Sequence, residues 1–378
     1  MRRLILPVLL AGLVVSTGAP GAAADDMGEA ARAGQWQLGA LGLPQAWRSS
    51  KGDGVLVAVL DTGVNARHPD LTGAVVQGPD LTGAGKGLWG PHGTAMASLI
   101  AGRGHGDDRK GGVLGVAPAA EVLSVRVTLE NGDPLRAKQR TGWRDALAQG
   151  IRYAADHGAD VISMSLGGGS GAWEGAAAEE EAVQYAIGKG AVLVASSGND
   201  GAAGNRKNFP AAYPGVIAVG AVDQRMKVAG FSNRQDYVSV VAPGTEIVTA
   251  DGGDSYVVGD GTSSAAAMVA GIAALIRSAH PGMSPYHVRM AIEQGTRRRP
   301  SDGYSPEYGH GVVDALLALR AADRMDVPAS GLARPGLYFG DGPGPASRVP
   351  VVVGMVMLLA VMSARVVMRY RRRGRDYT

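Results

Sequence analysis

The sequence predicts an α/β domain on a mainly parallel sheet flanked by helices, followed by one C-terminal transmembrane helix. Two observations carry the first part. Short β-branched runs recur along the body of the chain, at Val55–Leu60, Val122–Val127, Val161–Ser165, Ala191–Ala195 and Val216–Ala221. They are apolar on consecutive residues, as strands buried on both faces are. Among them lie segments with helical spacing, Trp143–His157, Glu179–Lys189, Ser263–Ala279 and Pro285–Gln294, so strands alternate with helices as parallel crossovers require. A third observation, an apolar run bordered by arginines near the end of the chain, carries the rest.

Residues 1–24 open Met-Arg-Arg, pass through the apolar run Leu4–Val15 and close on Ala22-Ala23-Ala24. That order of charged, apolar and small residues is a secretory signal, with cleavage expected after Ala24; an uncleaved anchor is the alternative. Residues 25–50 form an N-terminal extension, in which Gly34-Gln35-Trp36-Gln37-Leu38 is expected to pack as an arm on the domain that follows at 51–322. Within that domain Ser284 and Pro285 read as the N-cap and first residue of a helix. The Glu179–Glu181 run reads as a solvated first helical turn, and Gly167-Gly168-Gly169 and Gly252-Gly253 read as loops. A Pro/Gly-rich linker is expected over 323–348. Beyond it Val349–Ala364 is free of charge for 16 residues, and Val366–Met368 extends it to 20 if Arg365 snorkels. Twenty helical residues at roughly 1.5 Å each cover a bilayer core of roughly 30 Å. The five arginines of the tail, 369–378, then mark the cytoplasmic side. A buried core helix is the competing reading of that run.

Composition narrows the function. The chain has 378 residues, 46% of them hydrophobic and 19% charged, which excludes a disordered protein. It has no Cys, which excludes disulfides, thiolate zinc sites and a cysteine nucleophile. The formal charge of +3 invites a nucleic-acid partner until the bases are located. Eight of them, together with Asp376, lie in the terminal segments 1–24 and 365–378. Setting these aside reduces the 37 basic and 34 acidic residues to 29 and 33, a net of −4 over 25–364. No nucleic-acid surface is expected.

Three polar residues stand where such sheets build sites, at strand ends and helix starts. Asp61 follows the apolar strand in Val-Ala-Val-Leu-Asp-Thr-Gly. His92, in Pro-His-Gly-Thr, stands at the start of a small-residue helix, Thr94–Ala101. Ser263, in Gly-Thr-Ser-Ser-Ala, opens the helix that runs to Ala279. Singly, each reads as a buried acid, a loop histidine or an N-cap. Jointly, they are the carboxylate, imidazole and hydroxyl that nucleophilic catalysis needs.

The blocks around Asp61, His92 and Ser263 resemble the three signatures of the subtilisin-like serine proteases, in the chain order Asp, His, Ser. Gly115-Val116-Ala117-Pro118, Leu166-Gly167-Gly168 and Ser197-Gly198-Asn199 match further blocks, and the similarity covers about residues 50–322. The resemblance implies that Ser263 attacks the scissile carbonyl, His92 acts as general base and then acid, and Asp61 orients the imidazole. It implies that the Asn199 amide stabilises the oxyanion; by spacing alone Asn199 would read as a turn residue. Val125-Arg126-Val127 and Ser165-Leu166-Gly167 resemble the strand edges that hold an extended peptide substrate by main-chain hydrogen bonds. Ser264 and Ala267 depart from the family pattern, which usually has a bulkier residue and a proline there.

Signal, short extension, peptidase core, linker, C-terminal span and basic tail together resemble the mycosins, membrane-anchored proteases associated with type VII secretion in actinobacteria. The extension is too short for an independently folded inhibitory prodomain. The implied partners are polypeptide substrates and type VII secretion membrane components. The implied location is the cell membrane, single-pass, with the peptidase domain extracytoplasmic and the C-terminus cytoplasmic. A mainly structural subunit of the secretion complex and a general surface-anchored protease are the competing functions. No cofactor is expected. Calcium occurs in the broader family, and Asp70 and Asp107-Asp108 offer hard oxygen atoms, but no full ligand set can be read.

Overall fold

Short segments apolar on consecutive residues and rich in β-branched side chains fit the middle of a sheet covered on both faces. The computed structural model describes residues 20–85, 89–136, 145–167 and 175–325. The expected signal up to residue 19, the linker from 326, the span at 349–368 and the tail at 369–378 lie outside the described residues. So do Gly168, Gly169 and the first two residues expected in the helix Trp143–His157. The chain divides into two units, Met1–Pro335 and Gly336–Thr378, and every described residue belongs to the first.

The strands expected from sequence are β1 (Leu56–Asp61), β5 (Glu121–Arg126), β6 (Val161–Met164), β7 (Val192–Ser196) and β8 (Ile217–Val222). They share one nine-stranded sheet with β2 (Val75–Asp80), β9 (Val238–Pro243), β12 (Thr296–Arg297) and β13 (Val312–Val313), in the order β12-β13-β9-β8-β7-β6-β1-β5-β2. Every neighbouring pair is parallel except β12 with β13. Two small hairpins stand apart, β3 (Arg103–His105) with β4 (Gly111–Leu114), and β10 (Ile247–Ala250) with β11 (Tyr256–Gly259).

The α-helices with stated bounds fall in two groups. The N-terminal arm holds α1 (Pro20–Ala33), α2 (Gln37–Ala40) and α3 (Leu43–Ala46). The domain holds α4 (Pro91–Ala101), α5 (Ala146–Asp156), α6 (Ala177–Gly188), α7 (Thr262–Ala279), α8 (Pro285–Gln294) and α9 (Ala315–Asp323). Ser284 caps α8 by accepting the His287 N–H, with Pro285 at its first position. At the start of α6, Glu180 and Glu181 face solvent. Glu179 does not: it is half-buried and accepts a hydrogen bond from the Tyr213 hydroxyl at 2.7 Å. Burial raises its pKa despite that bond.

The centre of the core is α7. It is the one helix among the described residues long and apolar enough to cross a membrane, yet 78% of it is buried inside the domain. Its stripe of Ala and Gly lets backbones approach closely. At Gly271 a Cβ would stand 2.6 Å from the Val116 Cβ, so only glycine fits without displacing a core valine.

The arm is stitched to the domain by polar side chains acting on main chain. Arg32 donates to the carbonyls of Gly112 (2.9 Å), Gly111 (3.1 Å) and Arg109 (3.2 Å). Gln35 exchanges two hydrogen bonds with the main chain of Leu114, at 3.0 and 2.9 Å. The Trp47 indole donates to Val116 O at 2.8 Å. Leu41, Leu43 and Ala46 are fully buried in the main core. Replacing Arg32 by Met leaves three carbonyls without their donor, and is expected to destabilise the domain by about 2 kcal/mol, or roughly 4 °C in Tm. Thermal unfolding of the purified chain checks this; an unchanged Tm would mean that the clamp contributes nothing.

Candidate active site

The chain passes from β5 on one side of β1 to β6 on the other, so the carboxyl end of β1 is the switch point where an α/β sheet opens a crevice. Asp61 is the last residue of that strand. Its side chain is 1% exposed, and Oδ1 accepts from the Thr62 N–H and from His92 Nδ1, both at 2.7 Å. A carboxylate oxygen only accepts, so in the neutral ring Nδ1 carries the proton and Nε2 is left as the base.

His92 is the second residue of α4, so the helix begins three residues earlier than the sequence suggests, at Pro91. The glycine that follows is required by contact: a Cβ on Gly93 would stand 2.3 Å from the Gly63 carbonyl oxygen. His92 itself is 35% exposed. Burial disfavours its imidazolium, but the Asp61 charge and hydrogen bond outweigh this, with a further contribution from Glu130 and opposition from Arg136, and the net pKa is raised above 6.5.

Ser263 is the second residue of α7, half-buried behind the N-cap Gly261. Its Oγ donates to the Ser165 carbonyl at 3.1 Å, and Ser165 Oγ donates back to the Ser263 carbonyl at 2.9 Å. This reciprocal pair fixes the helix start to the end of β6. Among the described residues no hydrogen bond joins Ser263 to His92. Asn199 Oδ1 accepts from Thr262 N (2.9 Å) and Thr262 Oγ1 (2.8 Å). With the oxygen so held, the amide nitrogen is the group left to donate.

Ser165, Leu166 and Gly167 leave the end of β6 beside Ser263, where an extended peptide could align. Val125, Arg126 and Val127 differ from the expected open edge. β5 lies inside the sheet between β1 and β2, where Val127 N donates to Asp61 O (2.9 Å) and Arg126 O accepts from Leu81 N (2.8 Å). The Arg126 guanidinium pairs with Asp80 at 3.1 Å. The Val127 N–H and the Arg126 carbonyl are thus engaged within the protein rather than free for a substrate. Sequence similarity to a binding strand does not reveal whether β2 covers it.

Asp70 and Asp108, two of the acids with hard oxygen atoms, each have partners within the protein. Asp70 is fully buried, with one oxygen on His105 Nδ1 (2.6 Å) and the other on the Val113 N–H (2.7 Å). The cation in its field is the Arg32 guanidinium. Asp108 is 80% exposed and pairs with Lys110. Among the described residues no group of three or more His, Cys, Asp or Glu could hold a metal ion.

The sequence model of the subtilase family matches residues 52–311, an interval that contains Asp61, His92, Asn199 and Ser263. The chain belongs to the subtilase family. Thermitase from Thermoactinomyces vulgaris is 40% identical over 283 residues, 73% of this chain and 92% of thermitase. Two longer relatives are matched over 45% and 62% of their own length. Among solved structures, MycP1 from Mycobacterium smegmatis has a TM-score of 0.65 at 27% identity, covering 78% of this chain and 86% of MycP1. MycP3, a protease from the type VII (ESX-3) secretion system, has a TM-score of 0.65 at 32% identity, covering 75% of this chain and 87% of MycP3. This subtilase therefore has the subtilisin-like α/β fold, with MycP1 and MycP3 among its structural neighbours.

Proposed function

We propose that this subtilase is a membrane-anchored, extracytoplasmic serine endopeptidase that processes substrates of a type VII secretion system and helps to stabilise it. The observation that carries the chemistry is the Asp61–His92 pair at 2.7 Å, placed at the sheet's switch point with Ser263 at a helix start held to Ser165. In this reading the peptide lies along Ser165–Gly167, and substrate binding draws the Ser263 hydroxyl from the Ser165 carbonyl to His92 Nε2. Ser263 Oγ attacks the scissile carbonyl as Nε2 takes its proton, and Asp61 stabilises the imidazolium that forms. The Asn199 amide donates to the developing oxyanion. His92 then returns the proton to the leaving amine, and water releases the acyl group by the same route in reverse.

Anchoring rests on the uncharged run at 349–364 and the arginines that follow it, and the secretion role rests on the likeness to MycP1 and MycP3. The test compares secreted peptides and secretion competence in wild type, Ser263→Ala and a full deletion. If the protein processes substrates, a defined set of neo-N-termini is expected to be missing from both mutants; no difference between wild type and Ser263→Ala would sink that role. Secretion that fails only in the deletion would assign the stabilising role to the folded domain rather than to cleavage.

A further inference from the structure

The helix that carries His92 lacks a cap of its own. The N-cap position is Gly90, which has no side chain to offer where Ser, Asp or Asn is the usual cap. Two residues from elsewhere do the work. Thr62 Oγ1 accepts the Gly93 N–H at 3.0 Å, and Glu130 Oε1 accepts the His92 N–H at 2.9 Å. Gly90 makes room for this: a Cβ there would stand 2.3 Å from Glu130 Oε1 and 2.5 Å from Thr62 Oγ1. Glu130 lies in the loop after β5 and is itself held in place. Leu129 before it is 1% exposed, and its carbonyl accepts from Arg136 Nη1. The Glu130 carbonyl accepts from Asp133 N at 3.2 Å.

A side chain at the N-cap position would have to displace both Thr62 and Glu130. What the loop carboxylate adds is a full negative charge fixed beside the imidazole, at the helix end where an anion is favoured. We propose that Glu130 is a positioning residue of the active site, which caps the His92 backbone and sets the basicity of its ring through a charge fixed beside it. The proposal rests on His92 being the general base. Three charged groups act on that ring: Asp61 and Glu130, which favour the imidazolium, and Arg136, which opposes it.

The test uses the full-length chain in detergent. Glu130→Gln keeps an oxygen that can accept the N–H but removes the charge. The acid limb of kcat/KM is expected to move to lower pH by about half to one unit at low ionic strength, and by less in high salt. Its kcat on the alkaline plateau and its KM are expected to stay within about threefold of wild type. Glu130→Ala also loses the acceptor, and its plateau kcat is expected to fall about tenfold. Arg136→Gln removes the opposing charge and is expected to move the limb to higher pH. Titration of His92 by NMR in chain labelled at its 7 histidines reads the same shifts without requiring turnover. An inactive wild type would count against the endopeptidase reading alone. His92 titrating identically in wild type and Glu130→Gln, both folded, would overturn the role given to Glu130.

Discussion

Full-length protein carrying Ser263→Ala is expected to bind peptide normally and fail to cleave it, with kcat lowered about 10⁶-fold, the size of the loss when the nucleophile of subtilisin is removed. The fold should tolerate the change. Ser263 Oγ makes one hydrogen bond, to the Ser165 carbonyl, and the reciprocal bond from Ser165 Oγ ends on main chain that alanine retains. Tm is therefore expected to fall by no more than roughly 3 °C, from about 1 kcal/mol. Steady-state kinetics on a peptide substrate gives the rate, and labelling with a serine-directed phosphonate gives an independent readout. Labelling of Ser263→Ala at wild-type level would place the nucleophile elsewhere.

Asp61→Asn is expected to lower kcat about 10⁴-fold, as the equivalent change does in another triad protease, with little change in KM. The amide can donate to Nδ1 as well as accept from it. That removes the constraint which keeps the proton on Nδ1 and leaves Nε2 as the base. The pH profile supplies the second signature. His92 must be neutral to accept the serine proton, and its pKa is raised, so the midpoint of the acid limb of wild-type activity is expected above pH 6.5. Removing the Asp61 charge moves that climb to lower pH. The stability effect has the opposite course with pH. The charged pair stabilises the fold fully below about 6.5 and is lost as pH rises through the raised value, so Asp61→Asn should cost most stability in mildly acidic buffer. An unshifted acid limb would show that Asp61 does not govern the imidazole.

The sequence makes much of this visible, for reasons particular to each element. β1, β5, β6, β7 and β8 are legible because strands covered on both faces must be apolar throughout. β2 is not, because Val75–Asp80 is a half-buried edge containing Gly78 and Pro79. Val238–Pro243 has the same run as the strands that are recognised, but Pro243 argues against an interior strand; it is accommodated as the last residue. The β10–β11 hairpin is split by the polar turn Asp251–Ser255, and neither half has an alternating pattern. In the site, Asp61, His92, Asn199 and Ser263 can be named because each sits in a motif. Glu130 cannot: Leu129-Glu130-Asn131-Gly132 reads as a solvated turn, and its partner lies 38 residues earlier in the chain.

The N-terminal arm has a consequence in time. The Leu41 carbonyl accepts from the Ala315 N–H at 2.8 Å, and Leu41 and Leu43 share a core with Ala318 and Leu319 of α9. The first packed residues of the domain thus wait for nearly the last. During synthesis or export Arg32, Gln35 and Trp47 can dock on residues 111–116 early, but Leu41 and Leu43 meet α9 only after it has emerged, and closing so long a loop makes that contact a late event. Asp61 and His92 appear early and Ser263 late, so the three proposed catalytic residues and the packing of the arm on α9 are all present only near the end of the chain. On the proposed mechanism, a chain that emerges in this order stays inert until its nucleophile arrives.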